Sequence, residues 1–154
     1  MALIAIYTVG RLKHPYDHPV SREFYEMGYK VMRQAYVSGH LIEDFSSEGV
    51  PLPKEANMND YHVLTLTVWD NLHSLYRFTY LGKHSQALRN RSRWMEPYQE
   101  KHLPYVLWWT EKVKDVSWEE ALTRYNYYSQ HGPSPFAFDF KNAFDENGKT
   151  CVLK

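Results

Sequence analysis

Residues 61–69, YHVLTLTVW, constrain the fold more than any other stretch, because Leu64, Leu66 and Val68 alternate with Val63, Thr65, Thr67 and Trp69. A period of two is that of a β-strand, and its two faces here differ chemically. The face holding Thr65, Thr67 and Trp69 has the mixed character of a cavity wall. Two further runs read as strands: residues 2–9, rich in Ile and stopped by Gly10, and YVLWW at 105–109 behind Pro104. The short LIEDF at 41–45 supplies a fourth.

Helical spacing fills the intervals. Phe24, Met27, Gly28, Val31 and Ala35 recur on one face until Ser38-Gly39 ends the pattern. Asp70 or Asn71 can cap a helix running through Leu72, Leu75 and Tyr76, interrupted at Gly82 before a second helical stretch from Lys83. Ser117 and Glu120 form a capping box before Trp118, Ala121, Leu122 and Tyr125, and Gly132-Pro133 closes that last helix. Residues 46–60, SSEGVPLPKEANMND, read as a loop and a mobile lid.

Strand, helix, strand, strand, helix, strand is the ferredoxin-like order, an α+β protomer whose antiparallel sheet carries its helices on one face. The bare face then needs cover. A second copy packed sheet to sheet supplies it, so the expected assembly is a homodimer, a dimeric α+β barrel. Residues 1–140 form the single expected domain, and the polar stretch 141–154 is expected to be a loosely held tail.

Composition narrows the function classes. The 154 residues hold 18 acidic and 18 basic side chains, so neither nucleic acid nor a charged membrane surface is an expected partner. No run approaches the ~20 apolar residues of a membrane helix. Residues 1–9, MALIAIYTV, lack a basic leader and read as a strand, not a signal segment. The single Cys151 excludes an intrachain disulfide and fits a cytoplasmic location. His14 and His18 are separated by Pro15 and adjoin Pro19, which argues against one helix presenting both to a metal. Phosphate loop, dinucleotide fingerprint and nucleophile elbow are all missing, and no metal or cofactor is expected. What stands out is 13 Tyr and 5 Trp, rings that suit a pocket, an interface or a crowded core.

Candidate chemistry lies in FTYLGKHSQALRNRSRWM at 78–95. On a helix turning about 100° per residue, His84, Leu88, Arg91 and Met95 fall within a sector of roughly 60°, flanked by Ala87 and Trp94. A guanidinium on an apolar stripe needs a carboxylate, carbonyls or a ligand anion, because leaving it buried alone costs several kcal/mol. An imidazole kept neutral by an apolar pocket is suited to general acid or base work. Arg91 and a tyrosine, Tyr80 or Tyr7, would stabilise developing oxyanion charge. Tyr7, Thr65, Thr67, Trp69, Leu88, Trp94, Met95 and Trp109 are the expected substrate-binding residues. The plainer reading stands beside this one: a satisfied core histidine, a structural ion pair for Arg91, and tryptophans that simply pack.

Phe78, Tyr80 and His84, Trp94 ten positions after that histidine, VLWW at 106–109, the opening YTVGRL and SWEEALTRYNYYSQHGPSPFAFDF at 117–140 together resemble the family of domain of unknown function 3291. Met95 stands where that family usually has Phe, and the polar tail departs from its pattern. The resemblance implies kinship with the dimeric α+β barrel superfamily, alongside the antibiotic biosynthesis monooxygenases, and a pocket between sheet and helices. Relatives there carry out several reactions, so the fold selects none. The expected function is an enzyme that binds a hydrophobic, oxygenated small molecule, aromatic or polyketide-like, and acts through His84 by isomerisation, cyclisation or elimination. A cofactor-independent or haem-related monooxygenase is the alternative enzyme, and a non-catalytic ligand-binding dimer the alternative of another class.

Overall fold

A computed structural model describes residues 2–46, 61–97 and 103–154, which leaves the expected lid, apart from Ser46, outside the described residues. Strand β1 (Leu3–Arg11) leads to helix α1 (Pro19–Ser38) and strand β2 (Leu41–Asp44). Strand β3 (His62–Trp69) is followed by three helices, α2 (Leu72–Tyr80), α3 (Lys83–Arg89) and the single turn α4 (Arg91–Trp94). Strand β4 (Tyr105–Thr110) and helix α5 (Trp118–His131) come next, then the short strands β5 (Ala143–Phe144) and β6 (Thr150–Cys151).

Capping follows the local sequence. Asn71 accepts the Ser74 N–H at 2.8 Å to start α2, and Ser117 accepts that of Glu120 at 3.1 Å to start α5. The return half of the box is diverted: the Glu120 carboxylate takes the Arg124 guanidinium at 2.6 Å instead. Gly82 separates α2 from α3 at φ +70°, a conformation side chains rarely adopt, and a Cβ there would meet Gln34 at 3.0 Å.

The main sheet has the order β2-β3-β1-β4 with every pair antiparallel, so the α+β class and its element order are as expected. Strand parity then assigns each side chain a layer. Ala5, Tyr7, Leu66, Val68, Val106 and Trp108 point one way and pack with Trp118, Ala121 and Tyr128 of α5. Ile4, Ile6, Trp69 and Leu107 point the other way and pack with Ala35, Leu72 and Leu75 of α1 and α2.

This overturns the expectation of helices on one face only. Helix α5 covers the opposite face within the same chain, because Trp118, Ala121, Tyr125 and Tyr128 bring a second aromatic layer against it. The ground for inferring a second copy as cover is correspondingly reduced.

The C-terminal stretch also differs from expectation. Residues 143–151 form a hairpin, Ala143 is buried, and Phe144, Cys151 and Leu153 pack against the helix-side core. Trp109 fixes it by donating its indole N–H to the Phe144 carbonyl at 2.8 Å. Before it, Phe138 exchanges two backbone hydrogen bonds with Leu107, at 2.8 and 2.9 Å, and so pairs with the free edge of β4. Beneath lies a buried polar knot. The Tyr128 hydroxyl donates to Asp139 Oδ2 at 2.7 Å, and Asp139 Oδ1 takes the Asn142 backbone N–H at 2.9 Å. Tyr128→Phe leaves that carboxylate oxygen without its donor, and a loss of ~1–3 kcal/mol is expected, read as a lowered urea midpoint at unchanged slope.

Candidate functional site

On the helix side the layers do not close completely. A cavity of about 320 Å³ lies between the sheet and α1 to α4, near the lower end of the ~300–1,000 Å³ usual for small-molecule sites. Its floor is the mixed face of the sheet: Ile6, Thr8 and Gly10 of β1, Val63, Thr65, Thr67 and Trp69 of β3, and Tyr105 of β4. Helix α1 supplies Phe24, Met27, Gly28 and Val31, and α2 supplies Leu75, Phe78, Thr79 and Tyr80. His84 and Leu88 of α3, and Arg91 and Trp94 of α4 with Met95 after it, complete the wall.

The His84 ring is positioned by the break at Gly82. The last turn of a helix leaves carbonyls without intrahelical donors. His84 Nδ1 donates to one of them, Thr79 O, at 2.9 Å, and the ring lies 5.3 Å from that of Phe78. With Nδ1 carrying the proton, Nε2 of the neutral ring is an acceptor, and it has no protein partner among the described residues. Burial pushes the imidazole below its ordinary value of 6.5, only partly opposed by the Thr79 bond.

Arg91 reaches the same cavity by a different route from the expected one. The helical stretch from Lys83 does not continue through it: Asn90, at φ −96° and ψ 6°, ends α3, and Arg91 begins α4. Backbone bonds tie this turn to β1, from Lys13 N to Trp94 O at 2.8 Å and from Glu96 N to Arg11 O at 2.7 Å. Gly10 permits the approach, since a Cβ there would come within 3.1 Å of Met95 Sδ. The guanidinium is half-buried, burial lowers its pKa, and no carboxylate or carbonyl of the described residues lies within hydrogen-bond reach.

The remaining polar side chains of the wall are engaged with one another. Register sets Thr8 opposite Thr65, and their hydroxyls are hydrogen-bonded. Thr67 Oγ1 accepts the Trp69 indole N–H at 2.9 Å, and the Thr79 hydroxyl donates to Leu75 O at 2.9 Å. The Tyr80 and Tyr105 hydroxyls bond to each other, and Tyr105 also accepts the Phe140 N–H at 3.1 Å. Burial raises both phenols above their ordinary value, Tyr105 strongly, so each remains protonated at neutral pH.

Of the residues singled out from the sequence, His84, Arg91, Tyr80, Thr65, Thr67, Trp69, Leu88, Trp94 and Met95 all border this cavity. Tyr7 and Trp109 do not. Tyr7 has the opposite parity to Ile6 and Thr8, so its ring lies 5.4 Å from that of Tyr125 on the α5 face. Trp109 sits at the far end of β4, opposite Ile4, where the hairpin covers it. Sequence reasoning missed Thr8, the α1 wall and Tyr105. A lone threonine in an apolar strand and a glycine inside a helix were the available signals. His14 and His18 form no metal site: their rings stack at 3.9 Å, and His18 Nδ1 accepts the Val20 N–H at the head of α1. Among the described residues no three His, Cys, Asp or Glu side chains cluster, and no helix is long and apolar enough to cross a membrane.

The class defined here is an α+β domain with a four-stranded antiparallel sheet, helices on both faces, and a partly open cavity on one. Its family is that of domain of unknown function DUF3291: the family model matches residues 3–153, and the chain belongs to it. The match runs through the hairpin, so the stretch after Phe140 belongs to the family pattern as well. Among solved structures, a conserved protein from Methanosarcina mazei Go1 is similar in fold, with a TM-score of 0.50 at 15% identity over 73% of this chain and 94% of that one. No curated protein matches the chain.

His84 also makes stability depend on pH in a definite direction. A base whose folded value lies below its unfolded one binds fewer protons when folded, so its contribution is complete above pH 6.5 and is lost as pH falls through 6.5 toward the lower folded value. Replacing the ring by His84→Leu should therefore flatten the decline in urea midpoint between neutral and mildly acidic pH. In the unaltered protein, nitrogen-15 NMR at neutral pH should find Nδ1 protonated and Nε2 bare.

Proposed function

We propose that the cavity binds a hydrophobic, oxygenated small molecule and that His84 takes a proton from it. The observation that carries this reading is the state of one ring. Its Nδ1 is committed to Thr79 O, its Nε2 is left as an acceptor at the wall of an apolar cavity, and burial keeps it neutral. A carbon acid next to a carbonyl is the matching substrate class. Proton transfer to Nε2 would leave an enolate, and the two cationic or acidic groups on the wall that can stabilise its oxygen are Arg91 and Tyr80. Isomerisation, cyclisation or elimination then differ only in where the enolate electrons go. A ring whose Nδ1 bonds a backbone carbonyl and whose Nε2 is bare would also suit an axial haem ligand, and a Soret band in the purified protein would identify that reading.

The barrel-forming dimer and its placement in that superfamily rest on the sequence resemblance. The cavity wall described above is built from one chain. One observation favours a binding protein without turnover. His84 also satisfies a helix-end carbonyl, and that duty alone would account for its presence.

Hydrogen–deuterium exchange decides between them. Aryl ketones and 1,3-diketones incubated with the protein in D2O should lose their α-proton signals faster than in buffer, and His84→Ala should reduce the acceleration by ~10²–10⁴-fold. The rate should be level near neutral pH and decline only below 6.5, since the neutral ring is the active form. Ligand binding with no exchange would leave the binding protein. Oxygen consumption in step with substrate loss would identify the cofactor-free oxygenase.

A further inference from the structure

We infer that the occupant of this cavity is an organic monoanion, an apolar body bearing one carboxylate, seated with that carboxylate on Arg91 and its body along α1 past Gly28. The inference rests on the cavity being a ligand site and adds the charge and orientation of the ligand; with Arg91 holding the carboxylate, Tyr80 is the group left for the enolate oxygen.

Charge accounting leads to it. Among the described residues Arg91 is the wall's one fixed charge, and no described Asp or Glu borders the cavity to balance it. Threonine and tyrosine hydroxyls on the wall are bonded within the protein. His84 Nε2 in the tautomer set by Thr79 is an acceptor and asks for a donor, not for an anion. Among the described wall groups the guanidinium is thus the one that calls for negative charge, and its fork geometry fits a carboxylate in two parallel hydrogen bonds.

Space is arranged to match. Beside Arg91, Gly10 keeps β1 free of a side chain, its Cβ position lying 3.8 Å from an Arg91 nitrogen. Along α1, a Cβ added at Gly28 would meet nothing within 4 Å, so open volume adjoins the helix there. Glycine is disfavoured inside a helix relative to alanine, yet α1 keeps one where it borders the cavity. The ring-lined region between these two points, with Phe24, Trp69 and Phe78, suits an apolar body.

Calorimetric titration of matched pairs tests this: 2-naphthoate, 4-phenylbutyrate and decanoate, each against its primary amide. At least one acid should bind more tightly than its amide by ~10-fold or more, as charge-assisted hydrogen bonds allow. Arg91→Met should bring that acid down to the level of its amide, Arg91→Lys should keep part of the preference, and Gly28→Leu should weaken acid and amide alike. Circular dichroism of each variant confirms that the fold is kept. Equal affinity for acid and amide, with both lost in Gly28→Leu, overturns the anion while leaving a neutral ligand in the cavity. Acid binding that Gly28→Leu does not alter overturns the seat along α1. Failure of every acid and amide to bind removes the ligand site itself.

Discussion

Everything on the helix side depends on how β1 and β3 are paired. Ile4 opposes Trp69, Ile6 opposes Thr67 and Thr8 opposes Thr65, so a single antiparallel register lays down an apolar end and a threonine end on the same face. A slip of β3 by one residue would send Thr65 and Thr67 to the α5 layer and bring Leu64 and Leu66 to the cavity face. The apolar end is buried by Leu72 and Leu75 and closes like an ordinary core. At the threonine end, Phe24 and Trp94 stand between sheet and helices, and the helices span the gap without filling it. Dense packing is the norm for protein interiors, so a void of this size marks a place where selection has not favoured closure.

His84 shows how one side chain can serve both structure and chemistry. Its Nδ1 completes the end of α2, which is reason enough for a histidine to follow a helix break. That bond also removes the ring's freedom to choose a tautomer and fixes which nitrogen is basic. Burial opposes the imidazolium, whereas the Thr79 carbonyl favours it, and burial is the larger effect. A histidine whose task was only to cap could sit at the surface. This one is placed where its second nitrogen borders a cavity.

Legibility from sequence followed the range of each interaction. Alternation in 61–69 identified the cavity floor because strand parity is local, and Gly82, Asn71 and Ser117 marked helix ends for the same reason. Parity also explains the failure at Tyr7. Its chemistry suited a pocket, but its face was fixed by pairing with β3, and no residue within β1 says which face will meet α5. Asn90 interrupts the expected helix because the turn after it is tied across to Leu12, a contact between residues more than eighty positions apart. The hairpin at 143–151 escaped notice for a related reason. Its composition is polar, and its order comes from Trp109 and the buried Ala143, both set by tertiary packing.

Water alone is a poor tenant for this space. The cavity has room for several molecules, and a buried water usually needs two to four polar partners. The wall offers few, because its threonines and tyrosines already bond to one another or to the backbone. Most of the enclosed water would therefore face rings and aliphatic groups, and an apolar ligand body would release it favourably. Arg91 works the other way: displacing its water is favourable only for a group that returns the lost hydrogen bonds. An apolar body gains from displacing most of the water and an oxygen-bearing head is demanded at one point, so the cavity discriminates by where polarity falls along a ligand more than by total size.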